Sequence, residues 1–141
     1  MKKLLFLTAL LTIACQPLKQ ETVKFTESDI CIIPKPQSMT LNKGSFRFTK
    51  ETVFVTAPEL YPVTNLFVEQ YEKATGFRMF FRKAAIQTSY ILLSLDKSLP
   101  KEGYTLAVTP QQISIKAADY NGALYALQTL RQLLPNEVES S

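Results

Sequence analysis

The run Gly103-Tyr-Thr-Leu-Ala-Val-Thr-Pro-Gln-Gln-Ile-Ser-Ile-Lys-Ala-Ala-Asp-Tyr-Asn-Gly-Ala-Leu-Tyr-Ala-Leu-Gln-Thr-Leu-Arg-Gln-Leu-Leu-Pro135 changes its apolar period midway, and that change decides the fold class. Tyr104, Leu106 and Val108 alternate with Thr105, Ala107 and Thr109. Beyond Pro110-Gln111, Ile113 and Ile115 alternate with Ser114 and Lys116, so the two halves read as strands of a tight hairpin. Asp119 then suits an N-cap, because its carboxylate can accept from the free amides of a first helical turn. Tyr120, Ala123, Leu124, Leu127, Leu130 or Arg131, and Leu134 follow at helical spacing until Pro135 stops the run. A hairpin feeds a helix whose apolar stripe is wide enough to cover a sheet.

The pattern extends toward the N-terminus. Tyr90-Ile-Leu-Leu-Ser-Leu95 is almost continuously apolar, as expected of a central strand covered on both faces, and Gly76–Phe81 reads as another strand. Between Glu59 and Thr75, Leu60, Val63, Phe67, Tyr71 and Ala74 recur every three or four residues along one helical face. Pro62 confines the start of that helix to its first turn, and Gly76 supplies the stop. Thr52–Thr56 is a strand between turn signals. Met39–Leu41 and Phe46–Phe48 predict a further hairpin around Asn42–Ser45, with Gly44 in a left-handed conformation. Ile30–Ile33 reads as a short β run ended by Pro34 and Pro36. The resulting fold class is α+β: a mostly antiparallel β-sheet with two amphipathic helices packed on one face.

At the N-terminus, Lys2 and Lys3 precede an apolar run from Leu4 to Ala14 that is too short to span a membrane, the pattern of a secretory leader. Thr12-Ile-Ala-Cys15 resembles the lipobox of bacterial lipoproteins, although an aliphatic residue is usual at the place of Thr12. This makes Cys15 the candidate lipid attachment site, with plain secretion and cleavage nearby as the alternative. Four segments follow: a lipoprotein-type signal peptide over 1–15, a polar tether over 16–28, one folded domain over 29–135, and a lead-in to a further domain over 136–141. If Cys15 is acylated, Cys31 has no disulfide partner, and between Ile30 and Ile32 it reads as a small core residue. An exported, membrane-anchored lipoprotein, periplasmic or on the cell surface, is the expected localisation.

The chain has no histidine, which removes histidine-based triads, histidine zinc sites and histidine acid–base chemistry. Its four glycines are too dispersed for a phosphate-cradling loop, so neither a metal nor a cofactor is expected. The formal charge of +4 includes the leader lysines and forms no basic stripe with interleaved aromatics, which argues against nucleic acid. Catalysis by carboxylates needs two acids converging on one bond. Asp29, Asp96 and Asp119 instead fall at a strand start, a strand end and a helix cap, and Glu69 and Glu72 fall on a solvated helix face. No catalytic residue is assigned.

Two motifs carry a family resemblance over about Ile30 to Pro135: Pro34-Lys-Pro-Gln-Ser with Gly44-Ser-Phe, and Asp119-Tyr-Asn-Gly-Ala-Leu-Tyr-Ala-Leu-Gln-Thr-Leu-Arg-Gln-Leu. In these the chain resembles the non-catalytic N-terminal domain of bacterial glycoside hydrolase family 20 β-N-acetylhexosaminidases. The resemblance implies a following (β/α)8 barrel, in which an adjacent Asp-Glu pair works with the 2-acetamido group of the substrate. No Asp-Glu dipeptide occurs here, and a barrel needs about 250 residues. The expected function is that of an accessory domain which packs against the barrel and supports it, through an apolar patch near Leu130, Leu133 and Leu134. The alternative is a free-standing surface lipoprotein that binds glycan or protein. An exposed aromatic platform would favour that alternative, but Tyr71, Tyr104, Tyr120 and Tyr125 read mostly as core.

Overall fold

The computed structural model describes residues 26, 30–84, 87 and 89–134. The leader over 1–15 with Cys15, the tether over 16–28 except residue 26, Asp29, Pro135 and 136–141 lie outside the described residues. Among the described residues five strands form one sheet: β1 (Val53–Thr56), β2 (Phe80–Arg82), β3 (Tyr90–Leu95), β4 (Tyr104–Val108) and β5 (Gln112–Ala117), in the order β2-β1-β3-β5-β4. Two helices, α1 (Tyr61–Thr75) and α2 (Tyr120–Gln132), complete the α+β layer.

The expected direction of the sheet is corrected. β1 pairs parallel with β2 and with β3, β3 pairs parallel with β5, and only β4–β5 is antiparallel. Two features turn the sheet. A helix joins β1 to β2, and such a crossover returns the chain in the same direction. The predicted hairpin of β4 and β5 forms, but β5 inserts between β4 and β3, so β3 acquires a parallel neighbour instead of its sequence successor. The predicted N-terminal hairpin is also corrected: residues 39–48, like Ile30–Ile33, form no strand. Gly44 does take the left-handed conformation, with φ 97°, yet Phe46 and Phe48 turn toward α1 instead of pairing. Phe48 stacks on Tyr71 at 5.5 Å between ring centroids.

Register sets the core. Phe54 lies beside Phe81 on one side and Ile91 on the other, Ile91 lies beside Ile113, and the next row is Thr56, Leu93 and Ile115. Paired residues share a face, so these rows make one apolar surface, and Phe54, Ile91, Leu93, Ile113 and Ile115 are fully buried. From α1, Val63, Phe67 and Val68 cover this surface; Ala123, Ala126, Leu127 and Leu130 do so from α2. Thr64, buried in α1, donates to Leu60 O at 2.8 Å and shares a hydrogen bond with Thr56. β3 is central, as expected, but covered in full on one face only: Leu92 and Ser94 are half-buried. Seven rings run in contact from Tyr61 through Phe81, Phe54, Phe67, Tyr71 and Phe48 to Phe46, tying α1 to the sheet and to the N-terminal segment.

The sequence signals for helix ends hold. Pro62 sits in the first turn of α1 after a 3-10 turn at Pro58–Leu60, and Gly76 caps it at φ 72°. Asp119 caps α2: one carboxylate oxygen accepts from Gly122 N and the other from Glu102 N, both at 2.9 Å. Glu102 itself is held at φ 62°, and a side chain at Gly122 would meet Gly103 O at 2.5 Å. The turn before β4 and the start of α2 are therefore locked together by one carboxylate and one missing side chain.

Both helices run from the C-terminal to the N-terminal ends of the parallel strands. Their last turns, the starts of β1, β3 and β5, and the β4–β5 turn consequently share one end of the domain, its base. The N-terminal segment crosses this base: Ile33 N donates to Gln132 Oε1 at 2.8 Å, Gln132 Nε2 donates back to Ile33 O at 3.0 Å, and Gly44 lies against Pro110.

Replacing Phe54 by Ala should cost about 3–5 kcal/mol, because no neighbour can fill the space of a ring at the centre of both helix and sheet contacts. Phe80→Ala, at a side chain 59% exposed, should stay near 0.5 kcal/mol or less. Urea unfolding of the two variants checks the difference.

Hydrogen bonds from Gly122 and Glu102 hold the Asp119 carboxyl below its ordinary pKa, with Lys97 adding a smaller attraction. A lowered folded-state pKa contributes stability above the unfolded value, about 4, and loses it as pH falls through the folded one. Asn offers one acceptor oxygen instead of two. Asp119→Asn should therefore lower the melting temperature by about 5 °C at neutral pH, and the gap should close in acid as the wild-type carboxyl is protonated. Thermal melts of both proteins from neutral pH into acid measure this.

Candidate docking surface

Among the described residues each carboxylate considered for chemistry has a structural occupation, and Asp29 lies outside them. Asp96 accepts from the amide and hydroxyl of Ser98, which lower its pKa, and it closes the turn after β3. Asp119 caps α2. Glu69 accepts from Asn65 at 2.8 Å one turn away, and Glu72 faces Arg78 at 3.9 Å on the surface. None of these is brought together with another acid over a cleft. No group of three or more metal-ligating side chains occurs among the described residues. Cys31 corrects the expectation of burial: it is a free, exposed thiol, because Ile30–Ile33 crosses the base as an extended strap instead of entering the sheet.

The feature with the geometry of a binding surface lies between the helices, on the side away from the sheet. Val63, Phe67 and Leu127 form the floor of a shallow groove, and Leu66, Gln70, Leu124 and Gln128 line it. Leu66 is 43% exposed, and farther round α2 Tyr125 is 45% exposed. No charged residue lines the groove, while Glu69 and Lys73 stand on the outer side of α1. An uncharged strip of leucine and glutamine with an exposed tyrosine is the composition of a protein–protein contact, in which charge is depleted at the centre. Among the described residues no helix is long and apolar enough to cross a membrane.

This places the patch differently from the expectation. Leu130 is only 2% exposed and belongs to the core, Leu134 packs against it, and Leu133 is half-buried. The helical stripe that contains Leu130 faces the sheet, so its apolar residues are already spent. The available signal was the opposite one: Leu66 and Tyr125 are apolar residues that fall off the stripes of their helices. Tyr120 and Tyr125 are exposed, against the reading of both as core, whereas Tyr104 is part-buried with its hydroxyl hydrogen-bonded to Thr129 at 2.7 Å.

Comparison with known proteins matches residues 29–141 to the family described as glycosyl hydrolase family 20, domain 2. The chain is 34% identical over a 150-residue alignment to a β-hexosaminidase of Porphyromonas gingivalis, covering all of this chain and 19% of that protein. Its fold is similar to part of the Streptomyces plicatus N-acetyl-β-hexosaminidase, with TM-score 0.71, 30% identity, and coverage of 83% of this chain and 23% of the other. The β-N-acetylhexosaminidase of Streptomyces coelicolor gives TM-score 0.67 and 30% identity, covering 74% of this chain and 21% of that one. The chain spans about a fifth of the length of these relatives.

Proposed function

Because the chain belongs to glycosyl hydrolase family 20, as its non-catalytic domain 2, we propose that it is the accessory N-terminal domain of an exported β-N-acetylhexosaminidase, an enzyme that removes terminal N-acetylhexosamine residues from glycans. Its part is mechanical: it packs against a catalytic (β/α)8 barrel and supports it. The observation that carries this reading is the uncharged groove between α1 and α2, bordered by Leu66 and Leu124, on a domain only about a fifth as long as its relatives. A domain of this size spends its main apolar stripes on its own sheet, so further apolar side chains left outside are available to a neighbouring domain.

The second reading, a free-standing surface lipoprotein that binds glycan or protein, draws on the exposure of Tyr61, Tyr120 and Tyr125. Tyrosines with one wet edge suit sugar faces as well as protein contacts. Tyr61 is partly engaged, its ring 4.7 Å from that of Phe81, which weakens it as a free platform residue. The leader and Thr12-Ile-Ala-Cys15 support export and anchoring through Cys15 in either case.

Sedimentation velocity separates the two readings. On the accessory reading the isolated chain self-associates as its concentration rises, and Leu66→Asp with Tyr125→Asp returns it to monomer without lowering helix content. A strictly monomeric chain indifferent to both changes would favour the free-standing lipoprotein. For the anchor, labelled palmitate should enter the wild-type chain in a bacterial host and be lost in Cys15→Ala. Equal labelling would refute lipidation at that site.

A further inference from the structure

The charge of the domain is unequally placed. At the base, Lys35, Lys43, Arg47, Lys50, Lys73 and Arg78 face solvent, while the carboxylates there among the described residues are Glu51, in a 4.0 Å contact with Lys50, and Glu72, near Arg78. Among the described residues Lys35, Lys43, Arg47 and Lys73 make no ion pair. At the far end of the strands the cations Arg82, Lys83, Lys97, Lys101 and Lys116 stand among the carboxylates of Glu59, Asp96, Glu102 and Asp119, with Lys116 acting on Asp96 and Lys97 on Asp119. Six cations against two carboxylates give the described part of the base a net positive field.

The same base receives the chain from the leader. The double hydrogen bond between Ile33 and Gln132 pins the strap beside the last turn of α2. Fourteen residues separate Cys15 from Ile30. A segment of that length reaches at most about 50 Å, and a charge acts on an anionic surface within about 8 Å at physiological salt. We propose that the base of the domain is a docking surface for an anionic phospholipid membrane, with these six cations turned toward the lipid headgroups. This rests on the reading of Cys15 as the anchor and adds an orientation to it: the base faces the membrane and the opposite end faces away. The anchor brings the base to the surface; the cations set which side meets it.

The magnitudes suffice. A basic residue close to an anionic leaflet adds about fivefold to membrane affinity, and a cluster of four to eight has a measurable effect. The test compares the full chain carrying Cys15→Ala on vesicles of zwitterionic phospholipid, with and without about one third anionic phospholipid, at low and physiological salt. Every sample shares the same leader, so its contribution cancels in the comparison. The parent should prefer anionic vesicles and lose that preference with salt. Adding Lys35→Glu, Lys43→Glu and Arg47→Glu should cost about a hundredfold in the preference, whereas Arg82→Glu, Lys83→Glu and Lys101→Glu, equal in net charge, should cost far less. Equal loss in both sets, or no anionic preference in the parent, overturns the proposal. If the base variant does not fold, lysine acetylation of the parent decides: vesicles should protect Lys35, Lys43 and Lys73 but not Lys83 and Lys101, and uniform labelling overturns it. No lipid is attached in this assay, so its failure is distinct from a failure of palmitate labelling.

Discussion

Side chains that lie next to each other in paired strands must point to the same side, and in this domain that constraint gathers the core into two rows. Phe81, Phe54, Ile91 and Ile113 form one, and Thr56, Leu93 and Ile115 the other. A shift of one residue in any of these strands would turn its buried side chains to the opposite face. Both helices must then lie on the face that carries the rows. The other face is mixed: Val53 and Val55 are buried there, whereas Leu92, Ser94 and Ser114 are half-buried.

Placing both helices on one face leaves their outer sides as the surface available to another domain. The groove between them is uncharged because the residues that border it, Leu66, Gln70, Leu124 and Gln128, lie between the core stripes and the polar outer sides of the helices. The carboxylates considered for chemistry act, among the described residues, as caps, turn acceptors or weak surface partners, and none of them converges with another on a cleft. The base is built differently. A strap pinned through Gln132 and stacked on Tyr71 replaces regular structure there, and its alternation of Phe46, Arg47 and Phe48 puts rings inward and charge outward.

Much of the fold was legible locally. Pro62 and Gly76 bounded α1, Asp119 began α2, and the alternation around Pro110 formed β4 and β5. Each depends on chemistry within a few residues: a missing amide hydrogen, a left-handed glycine, a carboxylate near free amides. The N-terminal hairpin was misread for a physical reason. Alternation at Met39–Leu41 and Phe46–Phe48 states only that one side of the chain meets something apolar, and here that partner is Tyr71 of a helix, not a second strand. Cys31 was misread with it, since its burial was inferred from a strand that does not form. The patch was misplaced because helical periodicity marks the residues a helix gives to its own core, whereas Leu66, Gln70 and Gln128, which border the groove with Leu124, fall outside those stripes.

The sequence by itself determined the presence of two amphipathic helices, their ends, the last hairpin, the lack of histidine chemistry and the family, because propensity, capping and motif are properties of neighbouring residues. Only the tertiary structure decided that the sheet is mostly parallel, that β5 lies between β3 and β4, that Gln132 meets Ile33 across 99 positions, and which helix residues remain outside. Those outcomes depend on competition among distant segments for one apolar face. That competition is settled by burial and register, and neither is written in any single stretch of the chain.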